Sequence, residues 1–166
     1  MEVARTYLEL RDREAFRPAR LSRNDVRVIH RNPCAPEEYR RLYRAVGDPW
    51  HWRDRLTWSD DALNAHLSSP DIGIWELVVG EASAGYFELR RTGEDEIELA
   101  YFGLVPCFIG QGLGGHLLTS AVEQAWSLGA RRIWLHTCTL DSPHALPNYR
   151  ARGFRDFRTE RLEVDL

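Results

Sequence analysis

The sequence predicts an α/β protein with a mixed, mostly antiparallel central sheet flanked by helices. Three strand-like runs at 72–80, 83–91 and 96–105 are separated by GEA and TGED, which are typical of hairpin turns. A strand–helix–strand unit continues from the third run to residue 139. With 166 residues, of which 43% are hydrophobic, we expect a single domain over residues 1–166.

The elements before the hairpins are two strands and two helices. TYLEL (6–10) alternates weakly, and we expect it to add an edge strand within an N-terminal extension of residues 1–25. VRVIH (26–30) predicts a strand. Residues 35–47 predict a helix with proline at its start, glutamates in its first turn and glycine at its end. Residues 59–70 predict a second helix, begun by a serine N-cap and ended by proline.

The elements after the hairpins alternate helix and strand. Residues 113–128 carry an apolar face at helical spacing, and 131–139 are apolar and β-branched as in a buried strand. A serine–proline pair opens a further helix, which ends at Gly153. Pro147 lies one turn inside that helix, so the helix is either kinked there or starts late. Residues 154–166 close the chain as a strand.

Composition excludes several classes of function. A net charge of −3 gives no sign of a nucleic-acid partner, and the arginines near the N-terminus alternate with acids as on a solvated surface. The three cysteines lack CxxC spacing, so we expect neither disulfides nor a metal site, and a reducing cytoplasm fits best. The first 30 residues are too charged for a signal peptide, and no apolar run reaches membrane length.

The stretch FIGQGLGGHLL (108–118) places four glycines between a predicted strand and a predicted helix. Such a loop presents free N–H groups and the positive end of a helix dipole, which together bind anions. A P-loop is excluded because that motif needs a lysine, and all 22 basic residues of the chain are arginine. GxGxxG matches Gly110, Gly112 and Gly115, but a dinucleotide fold needs repeated parallel units, whereas hairpins precede this loop.

Two motifs resemble one known family. LVPCFIGQGLGGHLL (104–118) resembles the acyl-CoA loop of the GCN5-related N-acetyltransferase (GNAT) superfamily. ALPNYRARGF (145–154) is similar to the A-x-x-x-Y-x-x-x-G-F pattern of that family's last helix. The similarity runs from about residue 26 to the end and is strongest over 83–154. It implies the acyl-CoA N-acyltransferase (GNAT) fold, with acetyl-CoA as co-substrate and no metal.

The resemblance also implies which residues bind acetyl-CoA. The exposed edge of the strand before the loop would pair with the pantetheine amides, with an oxyanion donor near Leu104, and the loop amides would hold the pyrophosphate. Two departures from the family pattern are Ile109, where arginine or glutamine is usual, and residues 141–142, where asparagine often stands. The implied binding residues are Phe102, Gly103, Leu104, Val105, Gly110, Gln111, Gly112, Leu113, Gly114, Gly115, His116, Ser142 and Tyr149.

Acetyl transfer to an amine needs a base, an oxyanion donor and a proton for the leaving thiolate. Glu98 matches the family strand glutamate and is the candidate base; its alternative role is an ion pair with an arginine across the sheet. Glu88 on the neighbouring strand is the reserve candidate. Tyr149 matches the family tyrosine that faces the CoA sulfur and is the candidate acid. We expect structural roles for His136 and Cys107, since no spacing ties them together.

The family places its acceptor against the first two helices and the loop between them, which here reads GDPWHWRDRLTW (47–58). Trp50, Trp52 and Arg55 from this loop, together with Glu88, are the candidate acceptor-binding residues, although the tryptophans could instead cap the core. The expected acceptor is a primary amine of a small molecule or peptide, and the arginines argue against a polyamine. A non-catalytic acyl-CoA-binding or regulatory module of the same fold is the alternative function, and a homodimer is left open.

Overall fold

The computed structural model describes residues 1–166. Seven strands and four helices make up the regular structure. The strands are β1 (Glu2–Leu10), β2 (Val26–His30), β3 (Ile72–Val79), β4 (Ala82–Gly93), β5 (Glu96–Leu104), β6 (Arg132–Cys138) and β7 (Arg155–Glu163). The helices are α1 (Pro36–Gly47), α2 (Asp60–Leu67), α3 (Leu113–Ser127) and α4 (Ala145–Ala151).

All seven strands form one sheet in the order β2-β3-β4-β5-β6-β1-β7. The β5–β6 pair is parallel and every other pair is antiparallel. This arrangement confirms the prediction of a mixed, mostly antiparallel sheet. It also confirms the hairpin meander β3-β4-β5 and the parallel unit β5-α3-β6.

Each face of the sheet has its own apolar core. The larger core packs α3 against the central strands and includes Leu117, Leu118 and Phe87. The smaller core lies under α1 and α2 and includes Tyr39, Tyr43, Tyr86 and Leu63. Because adjacent residues of a strand point to opposite faces, β4 contributes side chains to both cores, which explains its long buried stretch.

The expectation that residues 6–10 form an edge strand is wrong. β1 is longer than expected and lies between β6 and β7, antiparallel to both. Leu8 and Leu10 are 0% and 2% exposed in the larger core. Alternation along a strand reports which face is buried, but it carries no information about how many neighbours the strand has.

The segment that follows β1 runs along the outer side of α3. The amide of Ala19 donates to Thr119 Oγ1 at 2.9 Å, and the amide of Leu21 donates to His116 Nδ1 at 3.0 Å. The amide of Arg17 donates to a carbonyl beyond α4. The residues before β2 are therefore bonded into the fold at both α3 and α4.

α4 starts late, at Ala145, and is not kinked. Pro147 is the third residue of the helix, and the first turn of any helix has N–H groups without intrahelical partners. A proline there loses no hydrogen bond, which explains why it is tolerated. The preceding residues form a turn in which Ser142 Oγ accepts from the amide of His144 at 3.3 Å.

Candidate active site

A cleft opens where β5 and β6 separate. The two strands pair only over Glu96–Arg132, Ile97–Ile133 and Glu98–Trp134. Beyond Glu98, β6 continues beside β1, while β5 continues beside β4 and carries an irregularity in register at Ala100. Neighbouring strands lie about 5 Å apart where they pair, so the loss of pairing leaves a wedge-shaped gap.

Backbone N–H groups of β5 point into this cleft. The amide of Val105 donates to the carbonyl of Ala84 at 2.8 Å, so Val105 and Ala84 form a hydrogen-bonded antiparallel pair. Because such pairs alternate with non-hydrogen-bonded ones, Leu104 and Phe102 turn their N–H groups away from β4. Two amides, two residues apart, thus face the open side of the strand.

The glycine-rich loop leads from β5 to the start of α3. Gly110 and Gly112 adopt positive φ angles of 94° and 78°. Gly112 is the N-cap of α3 and supplies no side-chain acceptor, so the amides of the first turn have no capping partner. The end of a 15-residue helix with free N–H groups favours a bound anion.

Some side chains of the loop contact the N-terminal segment instead. Gln111 Oε1 accepts from Arg23 at 3.2 Å, and His116 Nδ1 accepts from Leu21. A Cβ added at Gly115 would lie 2.6 Å from Arg152 Nη1 and 3.0 Å from a side chain of that segment. Packing against the N-terminal segment therefore explains Gly115, and the loop presents its backbone, more than its side chains, to a ligand.

One cavity of about 620 Å³ joins this cleft to the loop between α1 and α2. Its lining brings together most of the residues expected at the reacting centre and several of those expected along the cofactor. The predicted residues that line it are Trp50, Trp52, Arg55, Glu98, Phe102, Gly103, Leu104, Gly114, Ser142 and Tyr149. The predicted residues outside its lining are Glu88, Val105, Gly110, Gln111, Gly112, Leu113, Gly115 and His116.

Tyr149 projects from α4 into the cavity and is 5% exposed. Its ring packs against Phe102 and Phe154 at centroid distances of 5.8 and 6.1 Å. Burial, and secondarily the charge of Asp141, raise the pKa of the phenol above its usual value. The hydroxyl is therefore protonated at neutral pH and is available as a proton donor.

Glu98 is a nearly buried carboxylate on the cavity wall, 6% exposed. Its Oε1 accepts from Arg90 Nε at 2.9 Å, and its Oε2 lies 3.9 Å from His136 Nε2. The ion pair with an arginine across the sheet is thus present, and it occupies one of the two oxygens.

His136 lines the cavity beside Glu98, a position that sequence reasoning did not assign to it. Burial, and then the positive charge of Arg5, lower the pKa of His136, so its ring is neutral at pH 7. The alternation of β6 carried the signal that could have found it, because Ile133 and Leu135 enter the core and His136 must face the other way.

Glu88 lies beneath the cavity and not on its surface. The side chain is fully buried; it accepts from Tyr39 Oη at 2.6 Å and Arg55 Nη2 at 3.0 Å, and lies 2.8 Å from His66 Nε2. Burial alone would raise its pKa, but the bond to His66, the charge of Arg55 and the bond from Tyr39 outweigh it and lower the pKa. This corrects its placement among the acceptor-binding residues and as a reserve base: it holds Arg55 in place.

Two polar residues that were not predicted connect the parts of the site. Asp141 Oδ2 accepts from Thr137 Oγ1 at 2.6 Å and from the amide of Cys138 at 2.9 Å, and its Oδ1 accepts from Trp52 Nε1 at 3.4 Å. Asn148 Nδ2 donates to the carbonyl of Gly114 at 3.0 Å, which ties α4 to the start of α3. The bonds from Trp52 to Asp141 and from Asn148 to Gly114 join residues far apart in the chain, so no local sequence pattern marks them.

None of the four helices is long and apolar enough to span a membrane. The structure contains no group of three or more His, Cys, Asp or Glu side chains that could hold a metal ion.

The sequence profile of the acetyltransferase (GNAT) family matches residues 35–154. A GCN5-related N-acetyltransferase from Kribbella flavida superposes with a TM-score of 0.67 at 19% identity, over 94% of this chain and 55% of that chain. A GNAT family acetyltransferase from Streptococcus pneumoniae superposes with a TM-score of 0.58 at 21% identity, over 78% of this chain and 87% of that chain. An aminoglycoside acetyltransferase from an uncultured soil metagenomic sample superposes with a TM-score of 0.63 at 14% identity, over 78% of this chain and 88% of that chain.

The chain spans only 55% to 63% of the length of three of the similar solved structures. No curated protein matches it. At these identities the structural likeness shows the fold, and the profile match covers more than half of the sequence. The open strand edge, the uncapped helix and the profile match lead to one conclusion: this chain belongs to the GNAT family of acetyltransferases.

Proposed function

We propose that the protein transfers an acetyl group from acetyl-CoA to a primary amine by direct attack. The observation that carries this proposal is one continuous cavity, which joins the free edge of β5 to Glu98, Tyr149 and the aromatic loop. A donor held on one side and an amine held on the other would meet in that space.

The residues of the cleft fit acetyl-CoA. The amides of Phe102 and Leu104 face the gap between β5 and β6, where an extended amide-bearing chain can pair with them. The uncapped start of α3 suits a pyrophosphate. When bound, acetyl-CoA supplies a thioester as the acyl donor. Ile109, which lines the cavity, gives apolar contact only.

The proposed chemistry divides between two side chains. Glu98 accepts a proton from the attacking amine through its oxygen on the His136 side, because Arg90 occupies the other oxygen. The amine nitrogen then bonds to the acetyl carbon, and the carbonyl π electrons move onto the oxygen; when this oxyanion collapses, the carbon–sulfur bond breaks and its electron pair leaves on sulfur. A cleft-facing amide such as that of Leu104 stabilises the oxyanion, and Tyr149 donates its proton to the departing sulfur.

The acceptor half of the cavity is aromatic and rigid. Trp50 and Trp52 line it, and the guanidinium of Arg55 lies 4.4 Å from the ring centre of Trp58 and 5.0 Å from that of Tyr101. The buried carboxylate below Arg55 neutralises its charge. These contacts support Trp50 and Trp52 as walls for an apolar acceptor body and Arg55 as part of a preformed floor.

The test is thiol release from acetyl-CoA over a panel of primary amines, with the acetylated product identified by mass spectrometry. We expect turnover by the wild type and a fall in kcat of about 10²-fold or more in Tyr149→Phe and in Glu98→Gln. Tyr86→Phe and Glu96→Gln are matched controls, because both side chains lie outside the cavity lining. They should retain the wild-type rate.

A non-catalytic acyl-CoA-binding module is the second candidate, since the open edge of β5 and the uncapped start of α3 would serve CoA binding alone equally well. Tight CoA binding by calorimetry without turnover of any amine would support it and overturn the enzymatic proposal. Full activity in Tyr149→Phe would remove the assignment of the acid alone. Binding of NAD in place of CoA would contradict the donor assignment.

A further inference from the structure

Arg5 of β1 borders the reacting centre. It lines the same cavity as Glu98 and His136. In the sheet register Arg5 pairs with Cys138 and Tyr7 pairs with His136, so Arg5 lies two residues along β1 from the residue that faces His136. Two residues of a strand span about 7 Å, which an arginine side chain can reach across. Its charge contributes to the lowered pKa of His136.

The guanidinium of Arg5 lacks the hydrogen-bonded carboxylate that Arg55 and Arg90 have. Its Nε is buried and has no hydrogen-bond partner. Its acidic neighbour is Glu160, whose Oε1 is 3.7 Å from Nη1, beyond hydrogen-bond distance. Glu160 already accepts from Tyr7 Oη at 2.8 Å and Arg158 Nη2 at 2.9 Å.

The contrast with Arg55 and Arg90 is clear. Arg55 Nη2 donates to Glu88 at 3.0 Å, and Arg90 Nε donates to Glu98 at 2.9 Å. Unlike these two arginines of the cavity, Arg5 has no hydrogen-bonded carboxylate. The Arg5 side chain is 34% exposed, so a ligand in the cavity can reach its guanidinium.

We propose that the acceptor is an amine that also carries a carboxylate, and that Arg5 binds this carboxylate while the amine lies at Glu98. The inference rests on the proposed function. A guanidinium and a carboxylate match as planar partners that form two parallel hydrogen bonds. Arg5 and Glu98 line one cavity of about 620 Å³, a volume that suits a small amine bearing a carboxylate.

The charges of the cavity oppose a polycationic acceptor. Four arginines line it, against three carboxylates. Two of these carboxylates are engaged, Glu98 by Arg90 and Asp141 by Thr137, Cys138 and Trp52. The aromatic walls leave room for an apolar side chain on the same acceptor.

The experiment compares amines that differ only in the carboxylate: L-phenylalanine with 2-phenylethylamine, and L-leucine with 3-methylbutylamine. The readout is kcat/KM for thiol release from acetyl-CoA. The wild type should prefer the carboxylate-bearing member of a pair by about 10- to 100-fold, the range expected for a charge-assisted pair. Arg5→Gln should bring this ratio close to one.

Arg158→Gln is the matched control. It removes a second arginine that contacts Glu160, but Arg158 lies outside the cavity lining. The carboxylate preference should be retained in Arg158→Gln. In Arg5→Lys it should be weaker than in the wild type but stronger than in Arg5→Gln. If Arg5 served only to contact Glu160 of β7, Arg5→Gln and Arg158→Gln would show the same ratio of kcat/KM between the two members of each pair.

Equal use of both members of each pair, faster turnover of a polycation such as sisomicin, or a preference that persists in Arg5→Gln would overturn the proposal. Calorimetry of the four compounds in the presence of CoA separates this proposal from the proposed function. Binding of the amino acids that depends on Arg5, without turnover, would support the carboxylate site while the enzymatic assignment fails. No binding and no turnover of any of the four would overturn the carboxylate site.

Discussion

Three buried or half-buried carboxylates around the site differ in their hydrogen-bond and ion-pair partners. Glu88 is enclosed by Tyr39, Arg55 and His66 and has no exposed surface. Glu98 has one oxygen paired and one directed towards His136. Asp141 accepts three hydrogen bonds that link β6 to Trp52. Only Glu98 combines a position on the cavity wall with an oxygen left for a proton.

Replacement of Glu88 by glutamine should lower the free energy of unfolding by about 3–5 kcal/mol, because Arg55 would keep its charge in a buried site without a counter-ion. Urea denaturation followed by tryptophan fluorescence measures the change. Glu96→Gln, at a half-exposed carboxylate, is the control and should stay within about 0.5 kcal/mol. Equal stability of Glu88→Gln and the wild type would show that Glu88 does not stabilise the buried charge of Arg55.

The partners of Glu88 also predict the direction of acid denaturation. The folded pKa of Glu88 is lowered, so its contribution to stability is fully present above the unfolded value of about 4.3 and is lost as the pH falls through the folded value. The wild type should therefore lose stability below roughly pH 4.5 more steeply than Glu88→Gln does. Parallel curves for the two proteins would show that Glu88 does not titrate differently on folding.

Among the elements, β1 contributes to the sheet, to the cavity and to the larger core. It separates β6 from β7, places Arg5 in the cavity and buries Leu8 in the larger core. The segment after it bonds to Thr119 and His116 of α3. The N-terminal region is thus part of the domain that carries the site and not an appendage to it.

Leu8→Ala should destabilise the protein by about 2–5 kcal/mol, the range for a leucine truncated in a packed core. Leu166→Ala is the matched control, since Leu166 is 55% exposed and should change stability by less than about 0.5 kcal/mol. Thermal unfolding of both variants provides the comparison. If β1 were a loosely attached edge strand, the two variants would behave alike.

Sequence patterns predicted the elements better than they predicted the sheet partners. Hairpin turns and helix caps are local, so the meander β3-β4-β5 and the starts of α1 and α2 followed from the sequence. The position of β1 and the late start of α4 depend on tertiary contacts and were missed or left open. Motifs pointed to Glu98 and Tyr149, which line the cavity; His136 and Arg5 reach it through the pairing of β1 with β6, and Asp141 through its bond from Trp52.

In the whole molecule, the cavity extends from the gap between β5 and β6 to the loop between α1 and α2. In the proposed function, the gap between β5 and β6 is the donor side of the cavity and the loop between α1 and α2 is its acceptor side. Asp141 and Trp52 join the two sides across the cavity. In the proposed complex, the donor lies in the cleft with its reactive end between Tyr149 and Glu98.

A crystal structure of the protein with CoA tests this claim most directly. We expect the pantetheine amides to be hydrogen-bonded to the backbone of Phe102 or Leu104 and the pyrophosphate to lie at the first turn of α3. The sulfur should lie within hydrogen-bond reach of the Tyr149 hydroxyl. CoA bound outside the cleft between β5 and β6, or with its sulfur turned away from Tyr149, would contradict it.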